Sequence, residues 1–245
     1  MSLSLDPVLF LNERKFTVLF SGGKDSLAAL LWVLDNVEHE NWNVLYVEVT
    51  GNTHPLCNQY VHEVTRELGI YKKLVHVKRE DLDFFDCLRK WGIPVIGKYR
   101  WCLSQFKQRF FADKRLSHIT QVTGIKWADS NRRKHASFIE VFRITKSVIV
   151  HPILTWSKKD VNNYVKQHGL ELNPCYGICG HSGNCMFCPY HDKRSVILTL
   201  SLPEWREKIL SALLAKKAGS QWQQKIKHMW TSLASQSTLE VKALA

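Results

Sequence analysis

The chain has 245 residues, of which 45% are hydrophobic and 23% are charged, and its formal net charge is +12. This length suits one domain with a small appendage, and this balance excludes a disordered or collagen-like chain. The longest strongly apolar run, residues 27–34, is far shorter than the ~20 residues of a membrane-spanning helix. The N-terminus shows no secretion signal, so we expect a cytoplasmic protein without a membrane partner, and the charge favours polyanionic partners.

Short apolar runs alternate with amphipathic segments along the first two thirds of the chain. Strands are predicted at residues 16–20, 43–49, 73–77, 119–123 and 147–150. Helices are predicted at residues 26–37, 54–68, 103–114 and 157–168, and in the basic tail at about 203–217 and 221–235. Alternation of this kind predicts an α/β domain with a mostly parallel sheet.

The hexapeptide SGGKDS lies between the first predicted strand and the first predicted helix. It consists of Ser21, Gly22, Gly23, Lys24, Asp25 and Ser26. Glycines let the backbone approach a phosphate, and a helix N-terminus contributes amide groups and partial positive charge. Lys24 offers a cation, the two serines offer hydroxyl groups, and Asp25 either caps the helix or holds Mg²⁺ through water. The segment therefore predicts a phosphate-binding loop.

Four of the seven cysteines fall within fourteen residues, at positions 175, 179, 185 and 188. In a chain without a secretion signal such clustering indicates metal or redox chemistry more than disulfides. The Cys185-x2-Cys188 spacing places two thiolates on one tight turn, as zinc and iron–sulfur sites both require. Two interpretations stay open: a structural Zn²⁺ held by the four local cysteines, or a [4Fe-4S] cluster held by three of them with Cys102.

Several segments resemble known family motifs, and they occur in the family order. SGGKDS is the signature of the PP-loop ATP pyrophosphatases. The others resemble segments of the phosphoadenosine phosphosulfate (PAPS) reductase family: Arg100-Trp101-Cys102 with Lys107; Gly124-Ile125-Lys126 with Asp129, Ser130 and Arg133; His151-Pro152-Ile153 with Trp156; and Asn173-Pro174 with Cys185-x2-Cys188-Pro189. Two substitutions depart from the family pattern, Lys126 for arginine and Asp129 for glutamate, and lysine lacks the bidentate geometry of arginine.

The resemblance implies a Rossmann-like PP-loop (HUP-type) domain that binds ATP at the strand ends and cleaves it between the α and β phosphates. The expected nucleotide-binding residues are Ser21, Gly22, Gly23, Lys24, Asp25, Ser26, Glu48, Gly124, Lys126, Ser130 and Arg133. Lys24, Asp25 and Lys107 are expected to act in catalysis. Further cations are expected to form an anion-binding surface facing the loop: Lys98, Arg100, Arg132 and Lys134.

The resemblance also bears on the metal. Family members with a cluster use a cysteine at the position of Cys102 together with later cysteines, and the closest pattern is that of the iron–sulfur, DNA-phosphorothioation members. The expected [4Fe-4S] ligands are Cys102, Cys179, Cys185 and Cys188, with Cys175 as an alternative ligand. A Zn²⁺ site remains the alternative.

The expected function is ATP-dependent sulfur transfer, in which a substrate is adenylated and a cluster supports thiolation of tRNA, DNA or a small molecule with help from a sulfur-donor protein. One alternative is a reductase of an adenylylated sulfate, although no segment here resembles the E-C-G-[IL]-H motif of such reductases. Another is a non-catalytic nucleotide- or nucleic-acid-binding module with structural zinc. The predicted organisation is an α/β domain at 1–172, a cysteine-rich loop at 173–192 and a basic helical tail at 193–245. Tryptophans in the tail either pack in a core or stack on nucleic-acid bases.

Overall fold

The computed structural model describes residues 6–95, 99–142 and 146–244, and side chains up to residue 235. Lys98, expected in an anion-binding surface, lies outside the described residues. The chain forms two compact units, one made of residues 1–47, 59–77 and 108–173 and the other of residues 48–58, 78–107 and 174–245. The predicted organisation was three consecutive segments. In the structure, residues 48–58 and 78–107 group instead with the C-terminal part of the chain.

One six-stranded, mostly parallel sheet organises the α/β fold, as the sequence predicted. The strands are β1 (Phe16–Leu19), β2 (Trp42–Glu48), β3 (Leu74–Lys78), β4 (Thr120–Val122), β5 (Ile139–Phe142) and β6 (Ser147–Val150), in the order β3-β2-β1-β4-β6-β5. β1 pairs in parallel with β2 and β4, with Val18 opposite Val44 and Val122. β5 is antiparallel to β6 at one edge. The strand order reverses direction between β1 and β4, the place where open α/β sheets bind ligands.

The helices of the described residues are α1 (Pro7–Asn12), α2 (Lys24–Asn36), α3 (Pro55–Glu67), α4 (Phe84–Trp91), α5 (Trp101–Leu103), α6 (Arg109–Phe111), α7 (Lys158–Gln167), α8 (Cys175–Cys179), α9 (Lys193–Ser201), α10 (Pro203–Leu214) and α11 (Gln221–Leu244). Short 3₁₀ turns occur at Tyr71–Lys73, Trp127–Asp129 and Asn131–His135. None of these helices is both long enough and apolar enough to cross a bilayer.

The predicted helix at 103–114 is present in three pieces. A π-helical turn at Ser104–Gln108 separates α5 from α6, so that the segment is helical from Trp101 to Phe111. A π turn accommodates one extra residue, and such turns are frequent at functional sites. Hydrophobic periodicity does not reveal this insertion, because the apolar residues on both sides still repeat at helical spacing.

The apolar run in α2 forms part of the first unit's core, where Leu27, Leu30 and Leu31 are fully buried. In the second unit the core is aromatic. Phe84 packs against Trp101 with ring centroids 5.1 Å apart, and Phe187 packs against Trp230 at 4.8 Å. Two of the tail tryptophans, Trp205 and Trp230, are buried, so at these positions packing is the observed role.

Candidate functional site

The predicted phosphate loop joins β1 to α2 at the carboxyl end of the sheet. Gly22 has a φ of 72°, which favours glycine, and Gly23 is the N-cap residue of α2. The Ser26 hydroxyl donates to the carbonyl of Gly23 at 2.8 Å and accepts from the backbone N–H of Ser21 at 3.2 Å. These bonds hold the loop over the first turn of α2, whose N–H groups have no partner within the helix. The geometry is that of an anion site.

Two further residues fix the loop from other parts of the first unit. Gly124, which follows β4, lies so close that a β-carbon there would be 2.2 Å from the carbonyl oxygen of Asp25 and 2.7 Å from the nitrogen of Ser26. Asn173 is buried and donates its amide to the carbonyl of Gly22 at 2.9 Å. The segment after β4 therefore packs directly on the peptide groups of the loop, and only glycine fits at position 124.

Lys126 is fully buried and forms two ion pairs, with Asp25 at 2.6 Å and with Asp129 at 2.9 Å. Arg133 adds a pair with Asp129 at 2.5 Å. Burial opposes ionisation of Asp129, but hydrogen bonds from Lys126 and the charges of Lys126 and Arg133 outweigh it and hold the pKa of Asp129 below its ordinary value. Both carboxylates thus pair with the Lys126 ammonium, and its expected contact with a nucleotide phosphate stays a prediction.

The other residues expected to bind the nucleotide are distributed over both units. Ser130 is exposed at the start of a 3₁₀ turn in the first unit. Glu48 is the half-buried last residue of β2 and belongs to the second unit. Lys107 also belongs to the second unit, where its ammonium donates to Oδ1 of Asn184 at 2.6 Å. The structure therefore assembles the loop, Gly124 and Lys126 into one site, and groups Lys107 with the cysteine segment.

The Cys185-x2-Cys188 turn is held by a buried asparagine of the second unit. Asn52 accepts from the backbone N–H of Phe187 at 2.8 Å and donates its amide to the carbonyl of Phe187 at 3.0 Å. Its own carbonyl accepts from the N–H of Met186 at 2.7 Å. Both residues between the two cysteines are thus fixed by one side chain and its backbone.

Three of the four predicted ligands share one electrostatic environment. Burial raises the pKa of the Cys102 thiol, and Cys185 raises it further, whereas Arg100 and Lys107 lower it. Burial also raises the pKa of Cys188 to about 12, with added contributions from Cys185 and Cys102. Nearby thiolates thus disfavour the ionisation of Cys102 and Cys188, and a bound cation would reverse this effect, because metal-bound thiols are deprotonated.

Cys179 lies in a different group, with Cys175 on the same face of α8. A hydrogen bond from Cys175 lowers the pKa of Cys179 to about 5, and His181 adds to this effect; the pKa of Cys175 is raised by the same bond. The Cys179 sulfur lies 3.7 Å from Nδ1 of His181, whose Nε2 lies 3.1 Å from the Thr199 hydroxyl. Both cysteines of this pair are fully buried.

The cysteines therefore fit the expected [4Fe-4S] cluster only in part. Cys185 influences the thiols of Cys102 and Cys188, which have suitable chemistry, whereas the sulfur of Cys179 lies 3.1 Å from the carbonyl oxygen of Cys175. Within the described ranges, no three His, Cys, Asp or Glu side chains lie close enough together to hold a metal ion. A bound cluster would require these thiols to move closer together.

Three asparagines were not predicted as site residues. Asn173 contacts the loop before α2, whereas Asn52 and Asn184 contact the cysteine segment and Lys107, respectively. Asn173 precedes proline in a segment that resembles the family, which is a usable signal. Asn52 and Asn184 carry no signal in the sequence, because their partners are 135 and 77 residues away along the chain.

A glycine-rich loop at the N-terminus of a helix, next to the reversal point of a parallel sheet, defines a nucleotide-binding α/β protein. Residues 15–185 match the family model described as the phosphoadenosine phosphosulfate reductase domain. Because this match covers well over half of the chain, the chain belongs to that family.

Individual relatives were also found. An uncharacterized protein of Methanocaldococcus jannaschii is 28% identical over 182 residues, which are 72% of this chain and 36% of that protein. Adenosine 5'-phosphosulfate reductase of Bacillus mycoides is 34% identical over 67 residues, 27% of this chain and 29% of that enzyme. The chain thus spans about a third of the length of these relatives.

Two solved structures are similar. PAPS reductase from Candida auris has a TM-score of 0.49 and 17% identity, covering 72% of this chain and 85% of that one. The U34-tRNA thiolase NcsA from Methanococcus maripaludis, solved with its [4Fe-4S] cluster, has a TM-score of 0.47 and 14% identity, covering 95% of this chain and 75% of that one.

Proposed function

We propose that this chain binds ATP at the loop between β1 and α2 and cleaves it between the α and β phosphates, adenylating an acceptor that then receives sulfur. The observation that carries this proposal is the position of the loop. It follows β1 at the point where the strand order reverses, and Gly124 after β4 packs against it at a distance that admits no side chain. Ligands of open α/β sheets bind at this point.

Each loop residue has a role in this proposal. The N–H groups of the first turn of α2 face the phosphates, and Lys24 neutralises phosphate charge. Asp25 pairs with Lys126 through Oδ1, so a water-mediated contact with Mg²⁺ would use Oδ2. Lys126 and Asp129 keep Asp25 in place instead of binding phosphate directly. Catalysis at the loop is then mainly positioning and charge neutralisation.

We further propose that Cys102, Cys185 and Cys188 hold an iron–sulfur cluster, with Cys179 or Cys175 as the fourth ligand. The electrostatic influence of Cys185 on both Cys102 and Cys188, with Arg100 and Lys107 acting on Cys102, supports this choice. When bound, such a cluster supplies sulfur or electrons to the activated acceptor. The basic residues around Cys102 would favour an anionic cofactor, and Asn52 holds the turn between the other two cysteines.

The products formed from ATP test the proposal. ATP labelled in the α phosphate is incubated with anaerobically prepared protein, Mg²⁺, a sulfur source and RNA or DNA fractions. We expect AMP and pyrophosphate, separated by chromatography, and their loss in Lys24→Ala. ADP as the main product would contradict cleavage at the α–β bond. If the protein binds ATP tightly but cleaves it under none of these conditions, the result would favour the non-catalytic module.

Reduction of an adenylylated sulfate is the second candidate, since the local similarity to adenosine 5'-phosphosulfate reductase favours it. Sulfite release from adenosine 5'-phosphosulfate or PAPS, with a dithiol as reductant, is the distinguishing measurement. Sulfite formation without pyrophosphate release from ATP would replace the first proposal by the second.

A further inference from the structure

A cavity of about 130 Å³ lies within the second unit, between the end of α4, the end of α10 and the start of α11. This volume is several times the ~10–15 Å³ that a single water molecule needs. Its lining includes apolar side chains, among them Trp91, Ile93 and Leu213, and three lysines, Lys216, Lys217 and Lys227. The lining therefore combines apolar and cationic groups.

The lysines give this cavity a single sign of charge. Among the described residues, no carboxylate lines it. The ammonium of Lys216 donates to the carbonyl of Lys90, and that of Lys227 donates to the carbonyl of Lys216 at 2.9 Å. An ammonium has three donors, so each keeps two for a ligand. Lys216 and Lys217 are exposed to solvent. The arrangement favours an anionic ligand with more than one negative group.

The apolar part of the lining includes the indole ring of Trp91. Trp91 is half-buried and meets Trp101 edge to face, with ring centroids 5.5 Å apart. Gln223 donates its amide to the carbonyl of Ile93 at 2.6 Å, which ties the start of α11 to the residues after α4. Trp91 is thus held in place by its neighbours while still lining the cavity.

We propose that this cavity binds an unpaired base, with the adjacent phosphates of a single-stranded nucleic acid on the three lysines. An aromatic platform next to cations is the combination that binds single strands, since every base has a flat face to stack and every linkage a negative charge. An acidic peptide without aromatic side chains would pair its carboxylates with the lysines but would leave the Trp91 ring without a stacking partner. The inference names the acceptor class for the proposed sulfur transfer, and in that sense it rests on the proposed function.

Binding is measured by fluorescence anisotropy with a short fluorescein-labelled single-stranded RNA and the full-length protein, without ATP, so that failure of nucleotide cleavage does not affect the result. The test variant is Lys216→Gln/Lys217→Gln, and the matched control is Lys158→Gln/Lys159→Gln, which removes the same charge from exposed positions of α7. We expect weaker binding only in the test variant, with the slope of log K against log salt reduced by about 1.4, about 0.7 for each lost phosphate contact.

A second variant, Trp91→Leu, keeps an apolar side chain but removes the ring. We expect at least a fivefold loss of affinity with an unchanged salt slope, since stacking contributes ~1–3 kcal/mol per base. Thermal unfolding followed by circular dichroism identifies variants that fail to fold, and Lys217→Gln alone then replaces the double variant. Equal losses in test and control, equal binding of duplex RNA, or displacement by polyglutamate as effective as by unlabelled RNA would each overturn the proposal.

Discussion

Lys126 is a buried cation whose charge is matched by Asp25 at 2.6 Å and Asp129 at 2.9 Å. Removing one partner of a buried ion pair leaves the other uncompensated, which typically costs ~3–5 kcal/mol. We expect Lys126→Met to lower the free energy of unfolding in urea titrations, but by less than this amount, because Asp129 keeps its pair with Arg133 and Asp25 is partly exposed to water. The exposed Lys134 provides the control, and an equal loss in Lys134→Met would show that the ion pairs at Lys126 are not responsible.

Lys24 is the residue at which the phosphate site is most directly tested. If Lys24 binds phosphate as proposed, its replacement by alanine removes a charge-assisted contact worth ~1.5–3 kcal/mol, and ATP affinity should fall by a factor of ~10–150. Isothermal titration calorimetry of Lys24→Ala, with the exposed Lys15→Ala as control, measures this directly. Unchanged affinity in Lys24→Ala would remove the lysine from the phosphate site.

We expect the stability of the folded chain to depend on pH through His151. Burial lowers its pKa, although Glu140, 3.7 Å away, acts in the opposite direction. Below about pH 6.5, the ordinary pKa of histidine, the unfolded chain takes up a proton that the folded imidazole does not. The free energy of unfolding therefore falls as the pH falls, by at most ~1.4 kcal/mol per pH unit for this group.

Urea unfolding near neutral pH and about one unit below the ordinary histidine pKa measures this slope. In His151→Gln the slope should be smaller, while in the exposed His135→Gln it should match that of the unaltered chain. A slope that His151→Gln leaves unchanged would assign the effect to other groups.

At the scale of elements, the segment after β4 positions the loop before α2. A β-carbon at Gly124 would lie 2.2 Å from a backbone oxygen, which cannot rotate away as a side chain can. We expect Gly124→Ala to displace the loop and abolish measurable ATP binding in the same calorimetric assay. The control is Gly177→Ala, where no atom lies within 4 Å of the new carbon. Wild-type affinity in Gly124→Ala would separate the loop from nucleotide binding.

Helices and strands were predicted correctly where one buried face makes apolar residues recur at a regular spacing. They were missed where no such spacing exists. β6 was predicted with its observed bounds, and α2 differs from its prediction only by two residues at its start and one at its end. β5 was missed, because it is a short edge strand with two exposed residues. α9 lies within the predicted basic helical tail at 193–245, but its own bounds, with Asp192 as the cap, were not predicted.

At the scale of the whole molecule, Cys185 raises the pKa of Cys102 although the two are more than eighty residues apart along the chain. If they hold a cluster, anaerobically prepared protein should be brown, and Cys102→Ser, Cys185→Ser and Cys188→Ser should each lose most of the iron. Cys57→Ser should lose none. Iron analysis and visible absorbance provide the measurement, and Cys179→Ser against Cys175→Ser identifies the fourth ligand.

A different result would decide for the alternative metal. Stoichiometric zinc that survives in Cys102→Ser would reject the cluster and favour a local structural site. The described residues place Cys179 with Cys175, so either metal would require a local change around α8.

The sequence by itself determined the α/β class, the mostly parallel strand pattern, the glycine-rich loop between β1 and α2, and the family. These depend on local periodicity and on short segments whose chemistry is complete in a few neighbouring residues. Only the tertiary structure decided that Lys126 pairs with Asp25 and Asp129, that Gly124 touches the loop, and that Cys179 contacts Cys175 and His181. Such roles depend on which side chains meet across long stretches of chain. The burial of each side chain and the charges of its partners in the folded protein determine its interactions and its ionisation. A local sequence pattern contains neither.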